Sequence, residues 1–248
     1  MLDNIEDEAR RLIAAAGTQS LTLRLLGGLA VRVHAPSAAH RTLQRDYADI
    51  DLATPARHGR KVETWLEAEG YTPDPSFNLL NGASRLLFFD ETRARQIDIF
   101  VGEFAMCHRV ALENRLDHDP LTLPLAELLL TKLQIVRMNE KDIRDICALL
   151  LDHPLAAGDQ ETINLPLISE LCARDWGWWK TISLSLAKVR AFCDRAELPP
   201  NGVATIRERL EQLEQALAAT PKSTRWKMRA AIGERVRWHE EAEEVERG

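Results

Sequence analysis

Several things are missing from the chain, and each absence narrows what it can be. No apolar run approaches the roughly 20 residues that a membrane helix needs. The four cysteines, Cys107, Cys147, Cys172 and Cys193, stand far apart with no CxxC pair, which speaks for reduced thiols and against a zinc site. Neither an internal repeat nor a low-complexity linker is present, so solenoid and tethered-module architectures are set aside. The opening MLDNIEDEARRL is acidic and amphipathic, the wrong character for a secretory or transit peptide. The expectation is therefore a cytoplasmic chain with no membrane contact. A net charge of −6 over 248 residues argues against a general nucleic-acid coat but allows a local basic groove.

What is present has two characters. Ile5, Leu12 and Ile13 lie at helical spacing in a first helix over 3–16. LTLRLLGG then reads as a short buried strand meeting a glycine turn, with a helix continuing from Leu29 to His34. DIDLA (49–53) predicts a buried strand and RHGRKVETWLEAEG (57–70) a helix stopped at Gly70. SRLLFF (84–89) and QIDIFVG (96–102) flank Asp90, Glu91 and Thr92 and predict a hairpin. Beyond Pro120–Pro124 the pattern is helical, with Asn139 as an N-cap and Ile206, Leu210, Leu213 and Leu217 forming a 4-3-4 seam of a helix pair or short coiled coil. The fold class expected is α/β (α+β): a small mixed-sheet domain over 1–120, then an all-helical domain over 121–248 packed against it to form a cleft.

Chemistry concentrates in the first half. Side chains alternate across a strand, so Asp49 and Asp51 point the same way while Ile50 faces the core. Asp98 in QIDIF repeats the pattern on a later strand. Three carboxylates on adjacent strands suit a pair of hard cations such as Mg2+, and Asp98 could also draw the proton from an acceptor hydroxyl. Gly27-Gly28 stands where a strand turns into a helix, a place where amides come close to a phosphate. Taken singly, GG and DxD are common; the ordered set of strand, GG, helix, DID strand and second Asp strand is not.

GGLAVRVH (27–34), RDYADIDLA (45–53), QIDIF (96–100) and KLQIVRMNEKDIRD (132–145) resemble, as a set, the nucleotidyltransferase (DNA polymerase β-like) superfamily. The likeness is greatest to its AbiEii-like and minimal members. Arg45 ahead of the DxD, and Lys132, Arg137, Lys141, Asp142 and Asp145 in the last segment, match that pattern. The resemblance covers roughly residues 20–150. Tyr47 stands where a threonine is more usual, Gly28 stands where the polymerase-like enzymes carry serine, and the stretch from His34 to Arg45 is longer than in compact members.

The resemblance implies transfer of a nucleoside monophosphate from a nucleoside triphosphate to an acceptor hydroxyl, at a two-metal Mg2+ site held by Asp49, Asp51 and Asp98. Gly27, Gly28, Arg45 and Lys132 would bind the nucleotide, with Lys132 on the leaving pyrophosphate and Asp142 in support. From the residues alone, Lys132 reads equally as an exposed lysine, Asp142 and Asp145 as a salt-bridged face with Lys141, and Arg45 as a brace for the DID strand through Asp49. The acceptor is expected to be RNA, such as a tRNA 3′ end, with a protein hydroxyl second and a small molecule third. Two rivals stand beside it: a toxin of a toxin–antitoxin or phage-defence pair using the same chemistry, and an inactive nucleotide-binding or protein-interaction module. An antitoxin or a second copy of the chain are the protein partners these imply. Trp176, Trp178 and Trp179 read as a core anchor ahead of a base-stacking platform. The basic stretch 222–237 reads as a solvated face balanced by Glu240–Glu246 ahead of an RNA contact.

Overall fold

The computed structural model describes residues 1–241, so the end of the glutamate-rich tail, 242–248, lies outside the described residues. By its internal contacts the chain divides into two units: residues 1–33, 46–104 and 110–124, and residues 34–45, 105–109 and 125 onward.

The first unit is built on a mixed five-stranded sheet. In chain order it runs α1 (Ile5–Thr18), β1 (Arg24–Leu26), α2 (Gly27–His34), β2 (Asp49–Thr54), α3 (Gly59–Ala68), β3 (Thr72–Pro73), α4 (Pro75–Asn81), β4 (Arg85–Asp90) and β5 (Arg95–Val101). Strand order across the sheet is β1-β2-β5-β4-β3. β2 and β5 pair parallel, while β1 with β2, β4 with β5 and β3 with β4 pair antiparallel. The period-2 pattern explains the layering: Ile50, Leu52, Ile97 and Ile99 are fully buried, and α1 packs on β1 and β2. Helix α1 starts where the Asn4 side chain accepts from the amides of Glu6 and Asp7, a cap worth about 1 kcal/mol. The expected stop after α3 is there too, with Gly70 at φ +92. A separate two-stranded pair follows, β6 (Glu103–Ala105) with β7 (Arg109–Ala111).

The second unit is helical: α5 (Leu125–Leu133), α6 (Glu140–Asp152), α7 (Leu165–Arg174), α8 (Trp176–Cys193), α9 (Gly202–Ala219) and α10 (Thr224–Ile232). A two-residue parallel pair, β8 (Leu155–Ala156) with β9 (Ile163–Asn164), interrupts it. Asn139 caps α6 by accepting from the Asp142 amide at 2.9 Å. Ile206, Leu210, Leu213 and Leu217 are buried, but α9 sets them against three helices, α6, α7 and α8, so they are a core face and not the seam of a helix pair. The helical unit also takes in two short segments from the first half of the sequence. Ser37 donates its amide to Asp152 (2.8 Å), and the His108 amide donates to the Gln134 side chain (2.8 Å) while its ring nitrogen meets the Thr181 hydroxyl (2.8 Å). All four cysteines are free and buried. Among the described residues no helix is long and apolar enough to cross a membrane.

One buried carboxylate makes the sheet unit acid-sensitive. Glu8 on α1 has a fully buried side chain and accepts from Arg11, from the Tyr71 hydroxyl and from the Leu2 amide (2.7 Å). Burial alone would raise its pKa, but Arg11, Tyr71 and Leu2 outweigh it and hold the group down from 4.5 to about 2. A folded pKa below the unfolded one contributes stability that is complete above pH 4.5 and is lost as pH falls through 2. Thermal melts across that window should show the melting temperature falling steadily with pH. In Glu8→Gln the neutral-pH stability should drop and that slope should flatten; an unchanged slope would show that Glu8 is not the group responsible.

Candidate active site

The polar face of the sheet begins with β2. Asp49 is exposed, Asp51 half-buried, and Ile50 between them is in the core. Register then does the assembly. Asp51 lies opposite Leu26 on β1 and opposite Asp98 on β5, and Asp49 lies opposite Gln96. Side chains directly opposite on neighbouring strands share a face, so Asp49, Asp51, Gln96 and Asp98 form one polar patch backed by four buried aliphatics.

Gly27 closes the edge of this patch. The turn from β1 into α2 puts its backbone at φ +68, a conformation that costs other residues about 1–2 kcal/mol. A Cβ at this position would also sit 2.0 Å from Oδ2 of Asp51. The glycine is thus required twice: for the turn, and because the carboxylate occupies the space a side chain would need. Gly28 follows it, buried, in the first turn of α2.

Asp98 is buried and heavily engaged. Its Oδ1 accepts from Nε of Arg85 on β4 at 2.8 Å, and its Oδ2 accepts from Nε2 of Gln96 at 2.8 Å. Arg85 reaches it diagonally across the antiparallel β4–β5 pair, with its guanidinium over the rings of Phe100 (5.0 Å) and Phe77 (5.7 Å). Sequence reading passed over Arg85 and Gln96. An arginine opening a hydrophobic strand looks like a surface residue, and only the register of β4 on β5 shows what it holds.

The donor set of Asp49 and Asp51 is hard oxygen on one strand face, which fits magnesium; that ion is commonly bound by one or two carboxylates plus substrate phosphates. Both Asp98 oxygens are taken by Arg85 and Gln96, and among the described residues no group of three or more His, Cys, Asp or Glu side chains is placed to hold a metal ion.

The remaining expected residues lie in the helical unit, where they form their own cluster. Arg45 grips Asp145 of α6 with two hydrogen bonds (3.0 and 2.9 Å), and Lys132 of α5 pairs with Asp145 (2.9 Å) and Asp142 (3.1 Å). Burial works against the Lys132 charge, but Asp145 and Asp142 outweigh it and its pKa rises. Neither the exposed lysine nor the exposed acidic face read from the sequence is found, since the side chains of Lys132, Asp142 and Asp145 are 12%, 13% and 3% exposed. Arg45 thus braces α6 through Asp145.

Gly27→Ala should therefore lower the melting temperature by several degrees, whereas Gly17→Ala, whose Cβ would meet nothing within 4 Å in the last turn of α1, should leave it unchanged or raise it slightly. Equal effects in the two variants would mean that Gly27 is not pressed against Asp51.

No protein-family model matches the sequence, and no curated protein matches it. Solved structures do. The lincomycin-bound lincosamide antibiotic adenylyltransferase LnuA is 21% identical, with a TM-score of 0.41 over 60% of this chain and 98% of its own. The antibiotic-resistance factor ANT(2'')-Ia is 13% identical, with a TM-score of 0.38 over 88% of this chain and 97% of its own. An antigenic nucleotidyltransferase-like protein from Paracoccidioides brasiliensis is 14% identical, with a TM-score of 0.41 over 90% of this chain and 96% of its own.

Proposed function

We propose that the chain is a magnesium-dependent nucleotidyltransferase that moves a nucleoside monophosphate from a nucleoside triphosphate to an acceptor hydroxyl. The observation that carries this reading is the register of Asp51 against Asp98 on the same face as Asp49, with Gly27 pressed against the Asp51 carboxylate. In this reading Asp49 and Asp51 hold the metal. A bound magnesium ion supplies charge neutralisation on the triphosphate. The acceptor oxygen forms a bond to the α-phosphorus as the bridge to the β-phosphate breaks, and pyrophosphate leaves with the bonding electrons. The hydroxyl proton passes to Asp98, which Gln96 and Arg85 hold oriented. The amides of Gly27 and Gly28 at the start of α2 suit the phosphates. Arg45 and Lys132, which pair with Asp145 and Asp142, are the cations this reading assigns to the nucleotide. The AbiEii-like affinity belongs to this same reading.

A second reading draws on one observation. The Arg85–Asp98 pair leaves the third carboxylate engaged, as in a nucleotide-binding module that does not turn over. Incubation with each labelled nucleoside triphosphate, magnesium, and total RNA or protein extract separates the two. The nucleotidyltransferase reading expects a labelled acceptor and released pyrophosphate, with Asp49→Asn and Asp51→Asn each slowing transfer by about a hundred- to a thousandfold at unchanged melting temperature. Nucleotide binding without pyrophosphate release would establish the module, and near-parental transfer by the double variant would refute the metal assignment.

A further inference from the structure

Two motifs that the transfer chemistry leaves unused, the tryptophans at the start of α8 and the basic stretch around α10, come together within the helical unit. They line one hollow of about 220 Å³. Its charged lining is four arginines, Arg174, Arg225, Arg229 and Arg237, against one carboxylate, Asp175, in a chain whose net charge is −6. Asp175 is already committed: its Oδ1 caps α8 by accepting from the amides of Gly177 (2.7 Å) and Trp178 (3.2 Å).

Arg229 is held without being neutralised, and the other three arginines are exposed. Arg229 donates to the carbonyls of Gly233 and Val236 (2.6 Å each), neutral acceptors that fix its guanidinium over the Trp176 ring at 4.6 Å and leave its charge in place. Arg174 and Arg237 pair with Glu170 and Glu241 at exposed positions, where an ion pair is worth little and a phosphate exchanges with it readily. Arg225 is exposed on the first turn of α10 and makes no hydrogen bond or ion pair among the described residues. The rings beside them are braced by other rings. Trp226 meets Trp179 nearly edge-on (5.4 Å, 74°), and Trp238 meets Trp176 likewise (6.1 Å, 81°) while its indole N–H donates to Thr181 (3.0 Å). Trp226 and Trp238 are half-buried, so part of each indole stays accessible.

Size and chemistry together select the ligand. Whole-ligand pockets run from about 300 Å³ upward, and this one is smaller. It suits one flat ring and one anionic group of a longer chain. Rigid indoles beside arginine forks are what stacked bases and their phosphates require, and a duplex cannot offer a base face to a hollow of this size. We propose that this pocket binds one nucleotide of a single-stranded RNA, with the phosphate on Arg225 and its neighbouring arginines and the base against Trp226 or Trp238. The proposal goes beyond the transfer reading and does not depend on it.

The test is direct binding of the full chain to a fluorescein-labelled 12-nucleotide single strand of RNA, in EDTA and without nucleoside triphosphate, so that metal and transfer chemistry play no part. The proposal expects saturable binding, quenching of tryptophan fluorescence, and affinity at least tenfold above that for a duplex of the same length. Arg225→Glu, an exposed change that should leave the melting temperature alone, should weaken binding at least tenfold and flatten the slope of log affinity against log salt by about 0.7. Trp226→Leu should reduce the quenching. Absence of binding at low salt, equal binding of the duplex, tighter binding of a phosphotyrosine peptide, or indifference to Arg225→Glu would each overturn it.

Discussion

The parallel pairing of β2 with β5 fixes the rest of the site. Six successive residue pairs run from Asp49 opposite Gln96 to Thr54 opposite Val101, and a slip of one residue would turn every carboxylate into the core and every isoleucine out of it. The buried set Ile50, Leu52, Ile97 and Ile99 makes such a slip expensive, at about 1.5–3 kcal/mol for each side chain moved from core to water. Hydrophobic burial on one face of the sheet is thus what holds three aspartates together on the other, against their mutual repulsion.

That repulsion is managed differently at each position. Asp49 is in water. Asp51 is half-buried against a residue with no side chain. Asp98, the most buried of the three, has a guanidinium and an amide on its two oxygens. A buried polar group costs free energy unless it is hydrogen-bonded, and Arg85 and Gln96 supply Asp98 with one donor on each oxygen. The same contacts orient the group, because each occupies one lone pair of an Asp98 oxygen and leaves another.

Much of this was legible in the chain itself. Alternation within DIDLA and QIDIF gives both strands and the shared face of Asp49 and Asp51, and LLGG gives the turn, because each signal is local. Arg85 was not legible, since its meaning depends on which strand lies beside it. The helical unit's claim on residues 34–45 and 105–109 was equally hidden, because it rests on bonds such as Ser37 to Asp152 that link positions over a hundred residues apart. Periodicity marked the face of α9 but not how many helices it meets. Trp176 and Trp178 are the core anchors their pattern suggested, while Trp226 and Trp238, single and far along the chain, gave no sign that they would stand beside them.

The central claim is that the β2 carboxylates are a cation site for a nucleoside triphosphate. Crystals grown with Mn2+ and a non-hydrolysable triphosphate test it most directly, read by anomalous scattering at the manganese edge. The account predicts an anomalous peak within coordination distance of both Asp49 and Asp51, with the triphosphate on the same ion and the Gly27–Gly28 turn facing its phosphates. A bound triphosphate whose manganese lies away from these two aspartates, with Asp49 and Asp51 left in water, would contradict it.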